Sequence, residues 1–139
     1  MIGPLKSVTY VSRARPDLTD DDVYKIYRYA MTSNALQGIT GLLVYDGTTF
    51  LQIVEGGEEA LLALFVRLRR DDRHQKVVIV DDRDIGVRSF GTWSMHLLRV
   101  DRAHMTGVAS ADELMGPGVQ PEIRAMLSSM IDRMGDLAE

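Results

Sequence analysis

Residues Gly38–Gly56 read GITGLLVYDGTTFLQIVEG, and this stretch decides the fold. Two apolar runs, Ile39–Tyr45 and Thr49–Val54, flank the dipeptide Asp46-Gly47, which favours a two-residue type I′ turn. The pattern therefore predicts a β-hairpin. Alternate side chains of a strand point to opposite faces, and here both faces are apolar. We expect the hairpin to be covered on both sides.

Gln52 interrupts this apolar hairpin. It shares one face of its strand with Phe50 and Val54, whereas Leu51 and Ile53 occupy the other face. A buried amide has an acceptor oxygen and two N–H donors, and a missing bond costs about 1–3 kcal/mol. What Gln52 bonds to is therefore the first question about function.

The composition is that of an ordinary globular domain. The 139 residues are 45% hydrophobic and 26% charged, which is enough for one domain with a sizeable core. A formal net charge of -4 gives no electrostatic reason to expect nucleic acid or an anionic membrane as a partner. The absence of cysteine excludes disulfides, thiolate metal sites and cysteine nucleophiles. The three histidines lack metal-site spacing, so no metal site is expected.

The sequence shows neither a secretion signal nor a membrane span. The N-terminus lacks the apolar core of a signal peptide, and no apolar run approaches the roughly 20 residues of a membrane span. We expect a cytoplasmic protein without a membrane partner.

Strands and helices alternate along the rest of the chain. Thr19 is the predicted N-cap of the first helix, because aspartates follow it in the first turn. The connection Asp81–Thr92 is expected to be irregular, with room for one helical turn. The other predicted elements are a first strand Lys6–Ser12, a second helix Glu58–Arg70, a fourth strand Lys76–Val80, a fifth strand Trp93–Val100 and an amphipathic helix Pro121–Leu137.

This order, β-α-β-β-α-β-β with a C-terminal helix, predicts an α+β, ferredoxin-like fold with an added strand. Two helices are expected on one face of the sheet. The C-terminal helix is then the natural cover for the other face, which explains a hairpin that is apolar on both sides.

Three polar side chains interrupt the apolar patterns of three different elements: Tyr10, Asn34 and Gln52. We expect each to point between the sheet and the helices, although Asn34 is equally well explained as a C-terminal helix cap. No nucleophile–base–acid set is visible, so enzymatic chemistry is not predicted. The three side chains instead suit a flat, amide-like ring that is recognised through its C=O and N–H edges.

Three further side chains have an ordinary interpretation beside a functional one. Arg73 and His74 are typical of a solvated loop, but they also lie where they could meet a ring edge or a phosphate. Trp93, the only tryptophan, is typical of a core or edge position.

Five short motifs follow one another along the chain: Tyr10 in LKSVTYVSRA, Asn34 ahead of GITGLLVY, Gln52 in FLQIVEG, Arg73-His74 in DDRH, and Trp93 and Met95 in FGTWSM. With these motifs the chain resembles the BLUF domain, a flavin-binding blue-light photoreceptor module. The resemblance spans Leu5 to Val100, with the motifs in the family's order and spacing. One departure is Ser33, where relatives often carry Asn or His; it concerns a secondary ring contact and not the binding of the ring.

The resemblance implies a non-covalent flavin, FAD with FMN as the alternative, held between the two helices. In the family, the tyrosine that matches Tyr10 donates an electron and a proton after blue-light excitation. The glutamine that matches Gln52 then rearranges, by rotation or tautomerisation, and a new hydrogen bond shifts the flavin absorption to the red. Trp93 and Met95 are the implied relay, and either can occupy the place beside Gln52. The implied cofactor-binding residues are Tyr10, Asn34, Gln52, Arg73 and His74.

The resemblance also sets expectations for the output. Residues 1–100 would form the flavin-binding domain, and residues 101–139 would form a helical extension that packs on the sheet. The extension is too short for a cyclase, phosphodiesterase or DNA-binding domain, so we expect a separate downstream protein, or a homodimer or higher homo-oligomer. The alternatives are a flavin-free, ferredoxin-like oligomerisation scaffold and, less favoured, a light-independent flavin oxidoreductase, for which no spare catalytic group is visible.

Overall fold

The computed structural model describes residues 4–91, 95–99 and 118–134, and its elements follow the predicted order. The strands and helices are β1 (Leu5–Ala14), α1 (Asp20–Leu36), β2 (Thr40–Tyr45), β3 (Thr49–Gly57), α2 (Glu58–Arg70), β4 (His74–Ile85), β5 (His96–Arg99) and α3 (Pro121–Asp132). Thr19 is the N-cap of α1, as predicted, and it forms a capping box: the Asp22 N–H donates to Thr19 Oγ1 at 3.1 Å, and the Thr19 N–H donates to Asp22 Oδ2 at 3.0 Å.

The described strands form one sheet in the order β4-β1-β3-β2-β5. Neighbouring strands are antiparallel except β2 and β5, which are parallel. In the pairing of β1 with β3, Tyr10 lies directly opposite Gln52. Directly paired residues project to the same face, so the sheet itself brings these two side chains together.

Both faces of the hairpin are covered, as the sequence predicts. Phe50 and Val54 of β3 pack in one core cluster with residues of α1 and α2, such as Ile26 and Phe65. The opposite face belongs to a second core cluster, in which Leu51 and Ile53 of β3 pack with Ile123, Leu127 and Ile131 of α3. The prediction of an α+β sheet with α1 and α2 on one side and the C-terminal helix on the other is confirmed.

The hairpin turn differs from the prediction by one residue. The Asp46 N–H donates to the Thr49 carbonyl at 3.2 Å, so the central residues are Gly47-Thr48 and not Asp46-Gly47. Gly47 has a positive φ of 102°, and Thr48 does not. A type I′ turn needs a positive φ at both central residues, so the predicted type I′ turn is wrong. Asp46 Oδ1 accepts the N–H groups of Thr48 and Thr49, at 3.0 and 2.8 Å, and thereby holds the turn in this register.

β4 is longer than predicted, because it continues through the first part of the connection that was expected to be irregular. It pairs with β1 as far as Ile85 opposite Leu5. β4 lies at the edge of the sheet, where charged residues are tolerated, and its apolar residues Val78 and Ile79 are 43% and 42% exposed. Residues 86–91, the described remainder of the connection, contain bends and a turn at Gly91 but no helix.

No helix in the described ranges is long and apolar enough to cross a lipid bilayer.

Candidate functional site

A cavity of about 330 Å³ lies between α1, α2 and the sheet. This volume falls within the usual range of small-molecule sites. Five residues that the sequence singled out line it together: Tyr10, Asn34, Gln52, Arg73 and His74. The rest of its wall is made by Ile26, Tyr29, Ala30, Ser33, Leu43, Leu64, Arg67, Leu68, Arg70 and Asp71.

Tyr10, Gln52 and Met95 form a chain of hydrogen bonds at the floor of the cavity. The Tyr10 hydroxyl donates to Gln52 Oε1, and Gln52 Nε2 donates to Met95 Sδ at 3.3 Å. Burial raises the pKa of Tyr10, and the Asp71 carboxylate raises it further, so the phenol stays protonated and acts as the donor. All three side chains are buried.

Asn34 is fully buried, and neither Oδ1 nor Nδ2 has a hydrogen-bond partner among the described residues. The residue lies inside α1, whose C-cap is Gln37, and the Gln37 N–H bonds to the backbone carbonyls of Ala35 and Asn34. The capping interpretation of the Asn34 side chain is therefore wrong. An amide that lines a cavity and leaves its donors and acceptor unpaired is suited to a ligand that pairs with them.

Arg67 is a cavity residue that the sequence analysis missed. Its Nε and Nη2 atoms are buried and have no partner among the described residues. The sequence places Arg67 among the basic residues in the last turn of α2, where the helix dipole is a sufficient explanation. The available signal was its spacing: Arg67 follows Leu64 by three residues on the helix and shares the cavity wall with it.

Arg73 and His74 are not a solvated surface pair. Arg73 is only partly exposed and binds Asp71 through two parallel bonds, Nε to Oδ1 at 2.9 Å and Nη2 to Oδ2 at 2.7 Å. Burial raises the pKa of Asp71, but the hydrogen bonds from Arg73 outweigh it and leave that pKa below the ordinary value. His74 is buried with Nδ1 2.9 Å from Ser12 Oγ, and burial lowers the pKa of His74 to about 4. His74 is therefore neutral at pH 7.

Of the two residues that the resemblance implies as a relay, Met95 lies within the described residues. Met95 occupies the position beside Gln52 and directly precedes β5. Leu97 packs in the same core cluster as Met95, whereas Leu98 packs in the cluster on the α3 side, as predicted for a strand. Trp93 lies outside the described residues.

The residues of the cavity fit a flavin ring, whose pyrimidine edge alternates C=O and N–H groups. Asn34 offers an unpaired acceptor and an unpaired donor, and Arg67 offers unpaired donors. Ile26, Leu43 and Leu64 supply apolar walls. A ring placed against these groups would satisfy polar atoms that otherwise remain buried without partners.

Known proteins share this domain. The photoactivated adenylate cyclase subunit alpha of Euglena gracilis is 36% identical over 90 residues, which cover 65% of this chain and 9% of that protein. For subunit beta of Euglena longa the identity is 35% over 92 residues, or 66% of this chain and 11% of that protein. The chain therefore spans only about a tenth of the length of these relatives.

Two solved structures superpose on nearly the whole chain. The dark-state structure of BlrB, a BLUF protein, superposes with a TM-score of 0.73 at 32% identity, covering 93% of this chain and 98% of that one. The structure of the BlrP1 BLUF domain gives a TM-score of 0.79 at 30% identity, with 97% and 95% covered. The family model described as "Sensors of blue-light using FAD" matches residues 5–96, which hold β1 to β4 and both helices around the cavity. The chain belongs to the BLUF family of flavin-binding blue-light sensor domains.

Proposed function

We propose that Tyr10 and Gln52 are the photoactive pair of this sensor and that Asn34 and Arg67 hold the polar edge of its flavin. The observation that carries the proposal is the coincidence, in one cavity, of the Tyr10–Gln52–Met95 chain with the unpaired amide of Asn34. When bound, the flavin supplies light absorption and an electron acceptor. Arg73 and His74 complete the wall, with His74 neutral and Arg73 already paired with Asp71.

Gln52 is suited to act as a switch because its two ends have different partners. In the present arrangement Oε1 accepts from Tyr10, and Nε2 donates to Met95 Sδ. Rotation of the amide would exchange donor and acceptor and turn Oε1 toward the sulfur, which accepts only weakly and cannot donate. The bond to Met95 would then be lost. A change at Gln52 is therefore passed to the residue that enters β5.

The proposed cofactor is FAD, the flavin named in the description of the family. FMN is the alternative, because a similar structure, Klebsiella pneumoniae BlrP1, is described with FMN and cyclic diGMP. Its chain is 29% identical, with a TM-score of 0.79, and this chain covers 35% of it. Mass spectrometry of the flavin released from the protein distinguishes FAD from FMN.

We further propose that α3 carries the signal to a separate partner protein or to a second copy of the chain, and that the domain acts in the cytoplasm. α3 packs on the sheet face opposite the cavity, where it contacts residues of the same strand that bears Gln52. The relatives named photoactivated adenylate cyclases are consistent with a sensor whose response is read by another unit.

The deciding experiment is an absorption spectrum of the purified protein before and after blue light. We expect a yellow protein whose flavin bands shift slightly to the red in light and return in the dark. A colourless protein would favour the flavin-free scaffold. Bound flavin without a reversible shift, but with turnover of a reductant in the dark, would favour a flavin oxidoreductase.

A further inference from the structure

Glu55 is a buried carboxylate that the flavin cavity does not use. It lies on β3 on the same face as Leu51 and Ile53, which is the α3 side of the sheet. Its oxygens accept two consecutive backbone N–H groups of the β4–β5 connection: Ser89 N–H at 2.7 Å and Phe90 N–H at 2.9 Å. A buried carboxylate with charge-assisted bonds to backbone donors is a strong attachment point.

Arg88 ties the same connection to the sheet a second time. Its guanidinium donates to three oxygens around the end of the hairpin: Thr40 Oγ1 at 2.8 Å, the Glu55 carbonyl at 3.0 Å and the Gly38 carbonyl at 2.8 Å. Thr40 Oγ1 in turn donates to Glu55 Oε1 at 3.1 Å. The connection is therefore fixed to the β2–β3 hairpin by its own side chain, Arg88, and by the Glu55 side chain of β3.

This anchored connection also holds the beginning of α3. Ser89 Oγ accepts the N–H of Gln120, the N-cap residue of α3, at 3.1 Å. Phe90 is buried in the same core cluster as Val119 and Ile123. The two residues whose N–H groups bind Glu55 are thus the two that meet the start of α3.

The other end of the connection meets Gln52. It continues to Met95, which accepts the hydrogen bond from Gln52. Gln52 and Glu55 belong to the same strand and face opposite sides of the sheet. One chain segment therefore touches the proposed switch at Met95 and the output helix at Ser89 and Phe90.

We propose that Glu55 is the residue that positions α3, acting through Ser89 and Phe90, and that this junction holds α3 in its dark arrangement. The inference rests on the proposed photochemistry and names the element that responds to it. Removing the carboxylate frees the start of α3 without touching the cavity. The amide hydrogens of α3 then exchange in the dark as they do in the wild-type protein under blue light.

The test compares Glu55→Gln with wild type by flavin absorption and by hydrogen exchange of residues 121–132, in the dark and under blue light. Glutamine has one acceptor oxygen, so one of the two N–H donors loses its partner. We expect a normal red shift, dark exchange of α3 about tenfold faster, as for loss of one charge-assisted bond, and little further change in light. Glu59→Gln, the same change at an exposed acid of α2, should behave like wild type.

Ser89→Ala provides a second variant if Glu55→Gln fails to fold. It removes only the acceptor for Gln120 and leaves the bonds of Glu55 intact, and it should shift α3 exchange in the same direction. Wild-type dark protection and a wild-type light response in the folded variants, with the red shift intact, would overturn the inference. So would equal acceleration in β1 and β3, because Glu55 would then only support general stability. A wild-type protein without a red shift would instead overturn the proposed photochemistry.

Discussion

Tyr10 and Gln52 face each other across neighbouring strands, and the direction of the bond between them sets the role of each residue. The buried phenol remains protonated and donates to the amide oxygen. Tyr10→Phe keeps the ring, which packs edge-on against Phe65 with centroids 5.6 Å apart, but removes the oxidisable O–H group. We expect the variant to bind flavin and to form no stable red-shifted state in a light-minus-dark spectrum. A normal photocycle would remove Tyr10 from the mechanism.

The unpaired buried amide of Asn34 should contribute to the affinity for the flavin. Asn34→Ala deletes the donor and the acceptor that the ring would meet. Loss of such a bond costs about 1–3 kcal/mol, so the dissociation constant of the flavin should rise about five- to 150-fold. Flavin occupancy on serial dilution measures it. Thr32→Ala, at an exposed position of the same helix, is the control and should leave occupancy unchanged. Unaltered affinity in Asn34→Ala would place the ring elsewhere.

His74 makes stability depend on pH. Its pKa is lowered by burial from 6.5 to about 4, so between these values the unfolded chain binds a proton that the folded chain does not. The contribution of His74 to stability is therefore present above the unfolded pKa and is lost as the pH falls. We expect a loss of about 2 kcal/mol between pH 7 and pH 5 from this group.

Urea unfolding of wild type and His74→Gln at the two pH values isolates the effect of His74. The variant should lose less stability than wild type on acidification, because glutamine does not titrate. Identical pH dependence in the two proteins would show that His74 titrates normally in the folded state.

At the scale of elements, the helices and the hairpin strands were located from the sequence. The spacing of their apolar residues reflects how each element packs. The charged half of β4 was missed because it is held by backbone pairing at an edge, which leaves no apolar pattern. The turn was misplaced because the Asp46 side chain, not the dipeptide preference, selects its register.

The same contrast applies to the site. Tyr10, Asn34 and Gln52 were predicted because each interrupts an apolar pattern. Arg67 was missed because an arginine in the last turn of a helix already has an explanation in the helix dipole. The backbone N–H groups that bind the Glu55 carboxylate belong to residues more than 30 positions away, and no local pattern encodes such a contact.

The β2–β3 pair requires a glycine at position 41. A Cβ on Gly41 would clash with the backbone carbonyl oxygen of Ile53 on β3, and this carbonyl cannot move aside without separating β2 from β3. Gly41→Ala should therefore lower the free energy of unfolding by at least about 1 kcal/mol, as measured by denaturant titration. Gly57→Ala is the matched control on β3, because nothing lies within 4 Å of its added Cβ. Equal stability of the two variants would contradict the close approach.

At the scale of the whole molecule, a single sheet separates the cavity from α3. β3 supplies side chains to both compartments: Gln52 to the cavity, and Ile53 and Glu55 to the α3 side. Gln52 on the cavity side is thus directly followed along β3 by Ile53, which packs on the α3 side. This arrangement lets a small hydrogen-bond change at the ring reach a whole helix without a long path.

α3 is the element whose packing is best suited to such a change. Ile123, Leu127 and Ile131 are buried against the sheet, and the partly buried Met126 and Met130 pack beside them. Methionine adapts to more than one packing arrangement, so this helix can loosen or repack at low cost. We therefore expect blue light to increase hydrogen exchange in residues 121–132 and to change the assembly state or the partner contact of the domain.

Two measurements under the same illumination test this expectation: hydrogen exchange and sedimentation velocity, each in the dark and in blue light. Tyr10→Phe is the control, because it should bind flavin and absorb light without completing the photochemistry, and its α3 should stay protected in both conditions. If wild-type α3 shows identical protection in dark and light while the red shift is intact, the signal leaves the domain elsewhere. The exposed apolar residues Leu62 and Val66 of α2 would then be the next surface to examine.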